Sequence, residues 1–344
     1  MNLIADGSLP HLSALFSQCF QLSTYQTEDQ LINKLATQDI LLCRSTLKVS
    51  AQLLKESRLQ CVATASSGTD HIDKQFLAQH NILLLDAKGC NAAAVADYVL
   101  AVLAYLRQYL QLTPKTAGII GVGMVGRLVA ERLLAAGLTL SYCDPLKAQQ
   151  DNDYPYTELE ALSACDLLCI HANRHEQMPY PSVHLIDDHF LSQLKPGCII
   201  INASRGDIVN ETALLNTSKK LYYCTDVYSN EPHINPAIIA KASLCTPHIA
   251  GHSIEAKQNA MRHLSNQIHR YYGYSPPTEI PPPPHSAQVI RSHWCETVLD
   301  MYNPAVESKQ MKQATHMSDT FLSLRKAHQH RHDFSADIIS TLLL

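Results

Sequence analysis

Short apolar runs recur along most of the chain, separated by stretches whose apolar residues return every third or fourth position. "NLIAD", "ILLCR", "CVATAS" and "ILLLDA" read as strands, with "SALFSQCF" and "DKQFLAQH" as helices between some of them. A long apolar helix is predicted from about Asn91 to Leu110, ending before Pro114. A second series begins at "KTAGIIGVG", with strands at "TAGIIGV", "TLSYCD", "CDLLCIH", "GCIIINAS", "YYCTDV" and "SLCTPH". One more helix, "SIEAKQNAMRHLSNQIHRYYG", follows. Strands alternating with helices imply parallel sheets covered on both faces, an α/β fold.

The pattern stops at "SPPTEIPPPPHS", which holds six of the 17 prolines. Proline fixes φ and removes donors, so an extended connector is predicted there. The tail beyond it, rich in His and Arg, is long enough only for a small accessory unit. At 344 residues, two or three domains are expected.

Composition narrows the function. A formal net charge of −4 and no basic block argue against a nucleic-acid partner. "AAAVADYVLAVLAYL" is interrupted by Asp97 and is short for a membrane span, so no membrane partner is expected. The first residues lack a charged and apolar leader pattern, which points to the cytoplasm. The 11 cysteines form no CxxC pair, so buried thiols are expected and no metal site.

The first chemical signal is "GIIGVGMVGRLVAERLLAAG". GxGxxG spacing alone is weak, but here it leaves a strand and opens a helix. Gly121 permits the turn, Gly123 lets backbone approach a pyrophosphate, and Gly126 lets helix and strand pack closely. The N–H groups of Met124 and Val125 then face the phosphates with the helix dipole behind them. Asp144 ends the next strand, where a carboxylate takes ribose hydroxyls or else starts the turn "DPLK". An acid there repels a 2′-phosphate, so the cofactor is expected to be NAD.

Alcohol oxidation needs a base for the hydroxyl proton, a cation for the substrate's anionic group and a carboxylate to tune the base. Three later strand ends offer His248, Arg205 and Glu231 for these roles. Each alone could be a surface ion pair, a loop residue or one of 18 histidines; their joint occurrence after a dinucleotide loop is the specific feature. Arg44, Ser45 and Thr46, following a strand in "CRSTLKV", fit either a solvated turn or an anion site.

The order GxGxxG, "NASRGDIV", "DVYSNEP", "PHIAG" resembles the D-isomer-specific 2-hydroxyacid dehydrogenase family, over the chain up to about Gly273. The resemblance implies two Rossmann-like doubly wound domains. A flavodoxin-like substrate domain, 1–92 and 255–280, would be split by an inserted NAD domain, 93–254. Residues 281–344 would form the linker and a small α+β segment that makes a homodimer. It further implies that Arg205 binds the substrate carboxylate, that His248 is the acid/base and that Glu231 pairs with it. Ala203, Ser204, Arg205, Asp226 and Gly251 join the cofactor contacts.

"RSTLKV", "ATASSGTDHID", "KGCNAAAVADYVL" and the tail resemble one branch, whose substrate is a small phosphorylated hydroxy acid. On that resemblance Ser45 and Arg44 receive the phosphate, and Ser66 and His252 also touch substrate. His252 replaces the branch's usual Tyr, and Ala172 replaces a Thr that touches NAD. Phosphoglycerate dehydrogenase, with a shorter substrate, and a corepressor-like sensor of NAD(H) are the alternatives.

Overall fold

The computed structural model describes residues 1–277, 280 and 291–341, so most of the proline-rich connector lies outside the described residues. The chain divides into two compact units, one of Met1–Asn91 and the segment from Ser253, the other of Ala92–His252 and the C-terminal helices. In chain order the first unit contains β1 (Asn2–Asp6), α1 (Leu12–Phe16), β2 (Gln21–Tyr25), α2 (Glu28–Leu35), β3 (Ile40–Cys43), α3 (Ala51–Leu54), β4 (Cys61–Thr64), α4 (Lys74–Gln79) and β5 (Leu83–Asp86). The second begins with α5 (Ala92–Leu110), β6 (Thr116–Ile120), α6 (Met124–Ala135), β7 (Thr139–Cys143), α7 (Pro145–Gln150) and β8 (Leu167–Ile170). It continues with α8 (Asp188–Gln193), β9 (Ile199–Asn202), α9 (Glu211–Asn216), β10 (Tyr222–Thr225), α10 (Pro236–Lys241) and β11 (Leu244–Cys245). The chain then returns to the first unit as α11 (Ile254–Tyr271) and ends in α12 (Trp294–Met301), α13 (Ala305–Lys312), α14 (Met317–Ala327) and α15 (Ala336–Thr341).

Both sheets are wholly parallel, in the orders β2-β1-β3-β4-β5 and β11-β10-β9-β8-β6-β7. Helices cover both faces, which is why the central strands are apolar at consecutive positions instead of alternating. In β9, Ile199 and Ile201 join one core and Ile200 the other; in β3, Ile40 and Leu42 face away from Leu41 and Cys43. In each sheet the chain order reverses beside the first strand, between β1 and β3 and between β6 and β8, so each has a crevice at its carboxyl end.

Side-chain caps set several helix starts: Asp73 accepts from Phe76 N, Asn210 from Ala213 N and Ser253 from Ala256 N. The long α5 is buried through most of its length, and its one acid, Asp97, is neutralised by Arg132 at 3.1 Å.

Three expectations change. The pattern did not reveal β2 or α2, because β2 is an edge strand carrying Gln21, Ser23 and Thr24, and α2 buries only Leu31 and Leu35. The strand expected over "SLCTPH" pairs only at Leu244–Cys245, because the backbone beyond it turns onto a buried carboxylate. The tail, expected to be α+β, consists among the described residues of helices alone. Its apolar residues recur at helical spacing: Cys295, Val298 and Tyr302 enter the core beside α5, while Met311 and Phe321 enter the core on the opposite face of the sheet.

Asp166 ties the start of β6 to β8. It accepts from Lys115 N at 2.8 Å, Thr116 N at 2.9 Å and Lys195 Nζ at 2.6 Å. Burial pushes its carboxyl up, but Lys195 and the backbone donors outweigh this and hold it well below the usual carboxylate range. A depressed native value contributes stability that is present above the unfolded value of about 4 and is lost as pH falls below it. Denaturant titrations of the wild type and Asp166→Asn should therefore show a stability gap at pH 7 that narrows on acidification. A gap independent of pH would contradict this role for the carboxylate.

Candidate active site

The glycine turn lies between β6 and α6, at the crevice of the six-stranded sheet. Gly121 has φ +85° and a Cβ there would lie 2.5 Å from Ala172 N, so only glycine fits. A Cβ on Gly126 would sit 2.1 Å from Gly121 O, which fixes how closely α6 approaches the strand exit. Gly123 differs: a Cβ would meet nothing within 4 Å, so the turn opens there onto space. As the cap of α6, Gly123 supplies no side-chain acceptor, and the Met124 and Val125 N–H groups are left for an anion. This open cradle at a helix start fits the diphosphate of NAD.

Asp144 fills two roles within the protein. Its Oδ2 accepts from Val122 N at 2.8 Å, bracing the glycine turn, and its Oδ1 accepts from Lys147 N at 3.1 Å, capping α7. Ala203 packs against the core, and Ser204 Oγ donates to Ala172 O beside the same turn.

Arg205 lies three residues past the end of β9, next to Ser204. Arg205 Nη1 donates to Ser204 O at 2.8 Å, while its backbone carbonyl accepts from Asn202 Nδ2 at 2.9 Å. The next residue, Gly206, presses on the loop after β10: a Cβ would lie 1.9 Å from Tyr228 C. The Arg205 loop and the Glu231 loop therefore touch backbone to backbone.

Glu231 and His248 meet directly, with Oε2 2.6 Å from Nδ1. Both side chains keep some exposure, 20% for Glu231 and 31% for His248. Burial pushes the Glu231 carboxyl up, but the His248 charge and the hydrogen bonds from His248 and Tyr228 N win and hold it below its ordinary value. An ionised carboxylate only accepts, so the proton of this pair resides on Nδ1 and Nε2 is left as the acceptor face.

His248 stands in the left-handed region at φ +56°, a conformation that a non-glycine residue adopts only when its surroundings impose it. The cause is Asp226, 1% exposed, at the end of β10. Its Oδ1 accepts from Thr246 Oγ1 at 2.7 Å and Ile249 N at 2.8 Å, and its Oδ2 accepts from Ala250 N at 2.8 Å. Burial pushes its carboxyl up, while His248 and these donors oppose the shift. Tyr98 OH lies 2.7 Å from Thr246 Oγ1, and Tyr228 OH donates to Thr246 O at 2.9 Å. Gly251 and His252 follow, with His252 N donating to Ile249 O at 2.9 Å.

In the first unit, Arg44 leaves β3 at that sheet's crevice. It reaches Asp6 Oδ2, on the last residue of β1, at 3.4 Å and Ser8 Oγ, just past that strand, at 2.8 Å. Ser45 is exposed beside it, and Ser66 follows the adjacent strand β4. Lys257 on α11, which sequence reading passed over, faces the same group: burial and then the Arg44 charge hold its ammonium below the ordinary lysine value.

Residues 103–250 match the family described as "D-isomer specific 2-hydroxyacid dehydrogenase, NAD binding domain". The chain is similar to the erythronate-4-phosphate dehydrogenase of Legionella pneumophila strain Philadelphia 1, at 51% identity over 97% of this chain and 96% of that protein. The enzyme of the same name from Pseudoalteromonas atlantica is 32% identical over 99% of this chain and 96% of its own length. A D-lactate dehydrogenase from Aquifex aeolicus, solved with NAD and lactic acid, shares the fold with a TM-score of 0.68 at 22% identity, covering 79% of this chain and 96% of that one.

Gly206→Ala should separate the Arg205 and Glu231 loops, at a cost of roughly 1–3 kcal/mol for overpacking. Denaturation and steady-state kinetics should both show the loss. An alanine variant with wild-type stability and turnover would contradict the close approach.

Proposed function

Since the chain belongs to the erythronate-4-phosphate dehydrogenase family, we propose that it oxidises 4-phospho-D-erythronate at C2, giving 3-hydroxy-2-oxo-4-phosphobutanoate in pyridoxal phosphate biosynthesis. The observation that carries this reading is the 2.6 Å His248–Glu231 pair, placed on the same sheet's carboxyl end as the glycine turn. Bound NAD supplies the hydride acceptor. Gly121, Gly123, Met124, Val125 and Gly126 hold its diphosphate, Asp144 its ribose, and Ala203, Ser204, Asp226 and Gly251 line the remainder.

His248 takes the C2 hydroxyl proton at Nε2. The imidazolium that results is stabilised by Glu231, whose depressed carboxyl keeps it ionised when the charge arises. Arg205 binds the substrate carboxylate through its planar guanidinium. Arg44, Ser45 and Ser66 bind the phosphate, with Lys257 adding positive charge, and His252 donates to or accepts from the substrate's hydroxyls. A phosphate carries two charges or nearly so and several acceptor oxygens, which suits cations and hydroxyls together.

Among the described residues no helix is long and apolar enough to cross a membrane, and the reading places the enzyme in the cytoplasm. We propose a homodimer, with the C-terminal helices as the pairing segment.

Purified protein should reduce NAD with 4-phospho-D-erythronate roughly tenfold or more faster than with 3-phosphoglycerate, the shorter substrate. His248→Ala should lower kcat/KM by at least about 100-fold, as expected for a lost general base. Light scattering on the same sample should give twice the chain mass. Preference for 3-phosphoglycerate would reject the substrate, undiminished turnover by His248→Ala would reject the base, and a monomer would reject the pairing.

A further inference from the structure

The segment that follows α14 carries a guanidinium into the interior of the second unit. Arg331, 7% exposed, donates through Nη2 to Ala250 O and, at 3.2 Å, to Ala94 O. Its Cζ lies 4.7 Å from the centre of the Tyr302 ring, which supports the charge from one face. Among the described residues, Nε and Nη1 are buried with no hydrogen-bond partner. A cation held this deep, with donors left over, is a costly feature, and its cost points to the groups it holds.

Those groups are specific. Ala250 is two residues from His248, and its own N–H is bound by Asp226. The backbone of Ile249 and Ala250 is thus gripped on both sides, by a carboxylate on its N–H groups and by a guanidinium on its carbonyl. Ala94 lies three residues after Asn91 and Ala250 two before His252, and the chain passes between units just after Asn91 and just after His252. A single side chain therefore ties both passages together within the second unit. The segment itself is anchored three positions on, where Phe334 N donates to Asp97 Oδ2 at 2.7 Å while Asp97 Oδ1 accepts from Arg132.

We infer that Arg331 is a positioning residue for the reaction: the C-terminal segment fixes the His248 loop from the side opposite Asp226. This rests on His248 being the base. The Arg331 guanidinium touches no reacting atom; it acts by holding the Ala250 carbonyl, and with it the left-handed turn at His248. Loss of one grip leaves the loop able to rotate about its remaining one, and misplacing a catalytic group by about 1 Å costs up to roughly 100-fold in rate.

The test uses the full chain with Arg331→Met and Arg331→Lys. Arg331→Met should lower kcat for 4-phospho-D-erythronate by roughly 10- to 100-fold with KM and NADH affinity unchanged. Amide hydrogen exchange at Ile249 and Ala250 should accelerate in the same variant. Arg331→Lys keeps the charge and reaches one carbonyl without forking across two, so part of the kcat should return; it also serves if the methionine variant fails to fold. Wild-type kcat and wild-type exchange in the variants would overturn the inference, as would a fall in NADH affinity matching the fall in kcat. Exchange needs no substrate, so a loosened loop in a protein without turnover would reject the function and leave the positioning role standing.

Discussion

One buried carboxylate organises the chemistry. Asp226 is removed from water and accepts from Thr246 Oγ1, Ile249 N and Ala250 N. Burying a charge is unfavourable unless donors replace the water, and the replacement here is the backbone of the loop that carries His248. Because those N–H groups point at Asp226, the chain cannot continue the β11 ladder, and His248 is forced to φ +56°. That turn aims Nδ1 at Glu231. Without it, a histidine after a strand would be one more polar residue at a sheet edge.

The parallel sheets explain why so many functional groups leave from strand ends. Strand β6 leads into the glycine turn, β9 into the loop of Arg205, β10 into Asp226 and, shortly after, Glu231, and β11 into the His248 loop. All four strands point the same way, so their exits share one edge of the sheet. The first unit repeats the principle with Arg44 after β3 and Ser66 after β4. Tight packing links the exits: Gly206 exists because Tyr228 lies where its side chain would be, and Gly126 because Gly121 O does.

The strands and the long helix were legible because parallel sheets buried on both faces leave unbroken apolar runs, as at Ile199, Ile200 and Ile201. The glycine turn was legible because its spacing is set by a local fold. What the sequence concealed depends on distant contacts. Asp226 was expected near the cofactor, and its part in shaping the His248 loop appears only when Ile249 and Ala250 fold back onto it. Lys257 reads as a cation on a polar helix face until α11 brings it toward Arg44. Edge strand β2 hides because its exposed residues are polar, and Arg331 hides in a His-rich tail more than 80 positions from the carbonyl it holds.

The shared proton between His248 and Glu231 reports the loop geometry directly. In wild-type protein, proton NMR should show a resonance far downfield of the amides, assigned to Nδ1–H and absent from His248→Ala. Asp226→Asn should abolish it while the amide spectrum of the sheets persists, because the asparagine amide cannot accept from all three donors. The same resonance, unshifted in Asp226→Asn, would show that the carboxylate does not hold the catalytic pair.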